Sequence, residues 1–211
     1  MVNINPTARA LIFALLGYLS GSVLYARLIP HIFHVPDVTE NSRDGNPGTA
    51  NAYMHGGFFI GTLTLIFELG KGIAPVAAYL HFTGGDISSD MWLPLILAAP
   101  VLGHIFPVFF GFSGGKGIAV TFGSLLGLYP DLAPVLTLCV FFIFFSLIVR
   151  ISPHFHRTIA TYICTALSMF LIRIAIPVCV GFMLITAAVE YKMFHSREER
   201  QKFEVKLLWR H

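Results

Sequence analysis

Gly117-Ile118-Ala119-Val120-Thr121-Phe122-Gly123-Ser124-Leu125-Leu126-Gly127-Leu128-Tyr129 is the stretch on which the fold turns. It is apolar enough for hydrocarbon, yet a crossing helix needs about 20 such residues. It therefore reads as a partial helix, entering from the loop at Lys116 and ending at Tyr129-Pro130-Asp131. Around it lie six longer apolar runs, at roughly 8–29, 56–82, 92–112, 132–149, 158–174 and 175–192. Ile176-Pro177 separates the last two. Counting the short stretch gives seven crossings; leaving it out gives six.

The composition agrees with a lipid-solvated chain. Of 211 residues, 55% are hydrophobic and only 12% are charged, whereas soluble domains carry about 25% charged residues. Arg9 precedes an apolar run that continues to Ile29 without a small-x-small exit, so it reads as a retained first span. The odd number of cysteines (Cys139, Cys164, Cys179), all in apolar stretches and without a C-x-x-C spacing, supports helix packing over metal or disulfide chemistry.

Basic residues set the orientation. Lys192, Arg197, Arg200, Lys202, Lys206 and Arg210 follow the last span and place the C-terminus in the cytoplasm. With seven crossings the N-terminus is outside, and Arg27, Arg43, Lys116, Arg150 and Arg157 all fall inside. The loop at 84–90 has no Lys or Arg; Arg173 is a mild exception. The expected fold is an all-α transmembrane bundle forming one domain over 1–211, with a basic cytoplasmic tail over 193–211. The pairs Gly17/Gly21, Gly57/Gly61 and Gly123/Gly127 read as close helix packing.

Three features remain for chemistry. Asp44-Gly45-Asn46-Pro47-Gly48-Thr49-Ala50-Asn51 is a loop whose glycines permit a tight backbone path and exposed N–H groups just before a helix. Residues 103–117, GHIFPVFFGFSGGKG, place Gly114-Gly115 and Lys116 at the mouth of the next helix, as phosphate binding requires. The spacing is not that of a Walker A loop, so ATP hydrolysis is not implied. Glu68 and Lys71 lie three apart inside an apolar run, where ions are expensive. They either pair with each other or touch substrate; if 56–82 is two broken helices, Gly70-Lys71-Gly72 is a re-entrant loop. His104 within a span reads, on its own, as an interhelical hydrogen bond, and His154-x-His156 is at most half a metal site.

In this order the three features resemble the acyl-phosphate:glycerol-3-phosphate acyltransferase family, the PlsY-type membrane enzymes of bacteria. The G-N-x-G loop, the acidic-x-x-Lys-Gly span and the run 103–117 carry the resemblance. It implies seven spans in a bacterial inner membrane and acyl transfer from an acyl phosphate to the 1-hydroxyl of glycerol 3-phosphate, giving lysophosphatidic acid. The implied partners are these two substrates, membrane lipids and an acyl-phosphate-producing enzyme, with no cofactor, metal or nucleic acid. By motif match, Lys116 and His195 are the expected catalytic residues. Arg43, Asn46, Gly48, Asn51, Lys71, His104, Gly114, Gly115 and Gly117 are the expected substrate contacts. This loop departs from the family pattern: Asp44 stands for a Ser and Met54 for an Arg, so Asp44 is expected to repel phosphate and Arg43 to compensate. Two other readings stay open, a small-solute or anion transporter and a weakly active lipid-binding member with a different acceptor.

Overall fold

The computed structural model describes residues 5–39, 42, 44–196 and 203–208. Every apolar run becomes helical. Helix α1 (Pro6–Gly21) starts with proline, behind an Asn5 side chain that accepts the Thr7 N–H at 2.9 Å. It bends by 48° into α2 (Tyr25–Ile32). Helix α3 (Thr49–Thr83) is followed by Gly84, which takes the left-handed turn that ends many helices. Helix α4 (Leu93–Ile105) leads through a 3-10 turn at Val108–Phe110 to α5 (Ile118–Leu126). Helix α6 (Ala133–Ile143) relaxes into a π-helical turn at Phe144–Ile148, and α7 (His154–Leu171) and α8 (Ile176–Phe194) follow.

Among the described residues three helices qualify as membrane spans by length and hydropathy, α3, α4 with its 3-10 turn, and α8; the bent α1–α2 pair makes a fourth. The short helix that decides the count, α5, has nine residues. At 1.5 Å per residue it is about 14 Å long, roughly half the hydrocarbon thickness. Packing explains why it forms at all. A side chain on Gly72 would meet the backbone of Ser124 and Val120 at 2.7 Å, and one on Gly123 would strike the Leu69 carbonyl. Two glycines facing each other thus let α5 lie against α3, backbone to backbone.

The core surrounds α4, which is buried along nearly its whole length by α1, α5 and α8. Leu93, Leu97, Val101 and Ile105 meet Tyr162, Phe182 and Ile185 in one cluster. Large apolar side chains also point outward: Leu11 and Leu15 on α1, Leu136 and Val140 on α6, Leu167 and Leu171 on α7, Met183 on α8. So much exposed apolar surface is what a lipid-facing belt presents.

Three details differ from the sequence-based expectation. The bundle carries a two-stranded antiparallel ribbon, β1 (Val149–Ser152) against β2 (Glu204–Leu207), so it is not purely helical and part of the basic tail returns to the body. Gly57 does not serve close packing: at φ 80°, ψ −179°, with open space where a Cβ would sit, it bends α3 near its start. Beyond that bend α3 is continuous, so Gly70-Lys71-Gly72 is mid-helix and no re-entrant loop forms.

The seven-crossing orientation is directly checkable. In a cysteine-free background, single cysteines at Ser88 and Ser113 are expected to react with an impermeant thiol reagent from opposite sides of sealed vesicles. Labelling from the same side contradicts that orientation.

Candidate active site

The break between α1 and α2 leaves backbone groups that lipid cannot satisfy. Buried charges from α3 satisfy two of them. Glu68 Oε1 accepts the Tyr25 N–H at 3.2 Å, and Lys71 Nζ donates to the Val23 carbonyl at 2.6 Å. Lys71 Nζ also lies 2.9 Å from Glu68 Oε2 and 2.9 Å from His104 Nδ1. His104 Nδ1 is also 3.1 Å from Glu68 Oε2, so this edge of the ring sits between the ammonium and the carboxylate, with Nε2 on the side that faces Gly115. Glu68, Lys71 and His104 are all buried, and the cluster ties α1, α3 and α4 together.

His104 positions the next loop as well. Its carbonyl accepts the Gly115 N–H at 3.1 Å, and the Ile105 carbonyl accepts that of Gly114 at 3.2 Å. A Cβ on Gly114 would collide with the His104 carbonyl, and one on Gly115 with His104 Nε2. Gly117, at φ 82°, then turns the chain into α5. Lys116 is buried by this path. Its Nζ meets Asp44 Oδ2 at 2.9 Å.

Asp44 in turn organises the first loop. Its Oδ1 accepts the Asn46 N–H at 3.1 Å and Asn51 Nδ2 at 2.9 Å, and Asn51 Nδ2 also reaches the Asn46 carbonyl at 2.8 Å. Burial pushes the Asp44 carboxyl upward. The hydrogen bonds from Asn51 and Lys116, with the Lys116 charge, outweigh it and hold the group below the usual carboxylate range.

Two cavities meet at this pair. The larger, about 530 Å³, is lined by the apolar Met54, Leu65 and Phe122 together with Lys116, His104 and Arg157. Three helix N-termini open onto it: Gly48–Asn51 at α3, Gly117–Ala119 at α5, His154 and Arg157 at α7. Helix N-termini with unpaired N–H groups favour anions. The second cavity, about 450 Å³, is polar and includes Arg27, Ser113, Gly114, Lys192 and His195. Asp44 and Asn46 line both.

The structure thus brings Asn46, Gly48, Asn51, His104, Lys116 and Gly117 to one cavity, and Asn46, Gly114 and His195 to the other. His195 is exposed there, its ring stacked on Tyr191 at 4.2 Å. Lys71 lies behind His104, within the charge cluster, and Gly115 packs on the His104 ring. Arg43 lies outside the described residues. Asp44, expected to repel phosphate, is instead the partner of Lys116. His154 and Arg157 had no expected site role. They enter because α7 begins immediately after Pro153, four residues before the expected span, so both sit on its first turn. Arg157 Nη2 and His154 Nδ1 are 2.9 Å apart, whereas His156 packs on Phe203, which splits the His-x-His pair. Basic residues directly after Pro153 were the available signal.

A family model described as glycerol-3-phosphate acyltransferase matches residues 11–201. Two relatives carrying the same name are 42% identical over 135 residues (Pseudoalteromonas translucida) and 41% identical over 119 residues (Azotobacter vinelandii). These alignments cover 64% and 56% of this chain and 63% and 60% of the relatives, a little under two thirds of their length. The fold is similar to the crystal structure of PlsY, an integral membrane glycerol 3-phosphate acyltransferase. Its glycerol 3-phosphate form gives a TM-score of 0.72 at 28% identity, covering 87% of each chain. The lysophosphatidic acid form gives 0.71 at 27%, again covering 87% of each.

The buried cluster makes a stability prediction. Removing one member of a buried ion pair leaves the other uncompensated and costs about 3–5 kcal/mol. Lys71→Met is therefore expected to lower the thermal midpoint in detergent sharply, and an unchanged melting curve contradicts the assigned pairing.

Proposed function

The chain belongs to the glycerol-3-phosphate acyltransferase family, and on that premise we propose that it moves a fatty acyl group from an acyl phosphate to the 1-hydroxyl of glycerol 3-phosphate. The product is lysophosphatidic acid, and the site of reaction is the inner leaflet of a bacterial plasma membrane. One observation supports this most: a single cavity joins an apolar wall to Lys116 and three helix N-termini. An acyl phosphate has these two halves, a lipid chain and a dianionic head.

The chemistry asks little of a protein nucleophile, because an acyl phosphate is already activated. The acceptor hydroxyl oxygen attacks the acyl carbonyl carbon. A C–O ester bond forms, the bond from carbonyl carbon to phosphate oxygen breaks, and inorganic phosphate leaves carrying the hydroxyl proton. Lys116, with the N–H groups of the α5 N-terminus at 117–119, stabilises the charge on the departing phosphate. His104 lines the same cavity. In the polar cavity Arg27 and Lys192 attract the acceptor's phosphate, and His195 orients its hydroxyl. Asn46 and Gly48 shape the wall shared with the acyl phosphate, while Asn51 spends its amide on the loop.

This arrangement disfavours a transporter. Glu68 and Lys71, buried charges of the kind a transporter would use, are paired with each other and the α1–α2 break.

Purified protein given an acyl phosphate and glycerol 3-phosphate is expected to form lysophosphatidic acid. Lys116→Ala is expected to slow the reaction by about 10²–10³, the usual loss when a stabiliser of developing negative charge is removed. No turnover with any polyol phosphate, together with solute flux in liposomes, contradicts the reading.

A further inference from the structure

The Asp44 carboxylate has an unusual set of neighbours for a loop acid. It accepts from one cation, one side-chain amide and one backbone N–H: Lys116 Nζ at 2.9 Å, Asn51 Nδ2 at 2.9 Å and the Asn46 N–H at 3.1 Å. A lysine with converging N–H groups is also the donor set by which proteins hold a bound anion. The pair is largely shielded, with side-chain exposures of 9% for Lys116 and 18% for Asp44, so salt screens it little. It also stands at a boundary. Asp44 and Asn46 belong to the walls of both cavities, Lys116 faces the apolar one, and Gly114 faces the polar one.

We propose that the Asp44–Lys116 pair is a gate between the two cavities, in which Asp44 occupies the seat on Lys116 that a ligand phosphate takes. The inference rests on the acyltransferase reading, since it makes Lys116 a phosphate ligand. A phosphate entering from either side displaces the carboxylate, frees Lys116 and joins the cavities into one chamber. Because the carboxyl is held below its usual range, it remains ionised at neutral pH and the seat is filled at rest. A self-occupied seat lowers apparent affinity by the fraction of molecules in which it is open. Asp44 therefore sets how strongly charged a ligand must be to enter: a phosphomonoester dianion competes with a carboxylate, and a singly charged phosphodiester competes poorly.

The test is a calorimetric titration of the detergent-solubilised full chain with inorganic phosphate. Asp44→Asn keeps an Oδ1 acceptor for the loop and replaces the anionic oxygen on Lys116 by a neutral amide. It is expected to bind phosphate about tenfold more tightly than the parent protein, with a matching fall in KM for the acyl phosphate. Lys116→Ala is expected to lose binding whether or not Asp44 is replaced. Asp44→Ser, also uncharged, is expected to tighten binding in the same direction, which keeps the test open if one variant folds poorly. If both Asp44 variants bind phosphate no better than the parent while Lys116→Ala abolishes binding, the gate is refuted and the phosphate site stands. Binding that survives Lys116→Ala in every background removes the phosphate site and the gate together.

Discussion

The ammonium of Lys71, buried in the bundle between the Val23 carbonyl, Glu68 and His104, is the constraint from which the site follows. The Val23 carbonyl belongs to the break in the first span, Glu68 to the same helix, and His104 to the central helix. Burying such ions brings little net stability, because desolvation offsets most of their attraction. What the cluster supplies is geometry. It satisfies the backbone that the α1–α2 bend exposes, and it fixes His104 in the position against which Gly114 and Gly115 pack. A side chain at either glycine would drive the loop off the imidazole. Lys116 would then no longer face the cavity.

From that loop outward the electrostatics are cumulative. The N-termini of α3, α5 and α7 come from distant parts of the chain, yet all open onto one cavity that apolar side chains also line. Partial positive charge gathers where an anionic head must sit, and lipid-compatible surface lies where a chain must sit. The short α5 makes this possible. Being half the length of a span, it begins beside the buried Lys116. The same shortness that left its status as a crossing ambiguous therefore brings a helix N-terminus to the cavity.

Much of this was legible from residue order alone. Hydropathy marked all seven apolar runs, each of which is helical, and Gly114-Gly115-Lys116-Gly117 reads as a loop suited to an anion. What stayed hidden depends on contacts across long separations. Nothing local tells that Asp44 and Lys116, 72 residues apart, form a pair, so the acid read as a repulsive intruder. His154 and Arg157 read as loop residues because hydropathy begins the sixth run only at 158, whereas the helix itself starts just after Pro153. Gly57 fitted a small-x-x-x-small pattern but bends its helix instead, a backbone choice that spacing does not encode. The ribbon joining β1 to β2 was invisible for the same reason: each strand is four residues long and gains order only from the other.

The central claim is that a phosphate and a lipid chain meet at Lys116. An experimental structure with a non-hydrolysable acyl phosphonate tests it most directly. The account predicts the phosphonate on Lys116 Nζ and the N–H groups of the α5 N-terminus at 117–119. The chain should run past Met54, Leu65 and Phe122, with Asp44 turned away. A phosphonate bound elsewhere, with the Asp44–Lys116 contact intact, would contradict it.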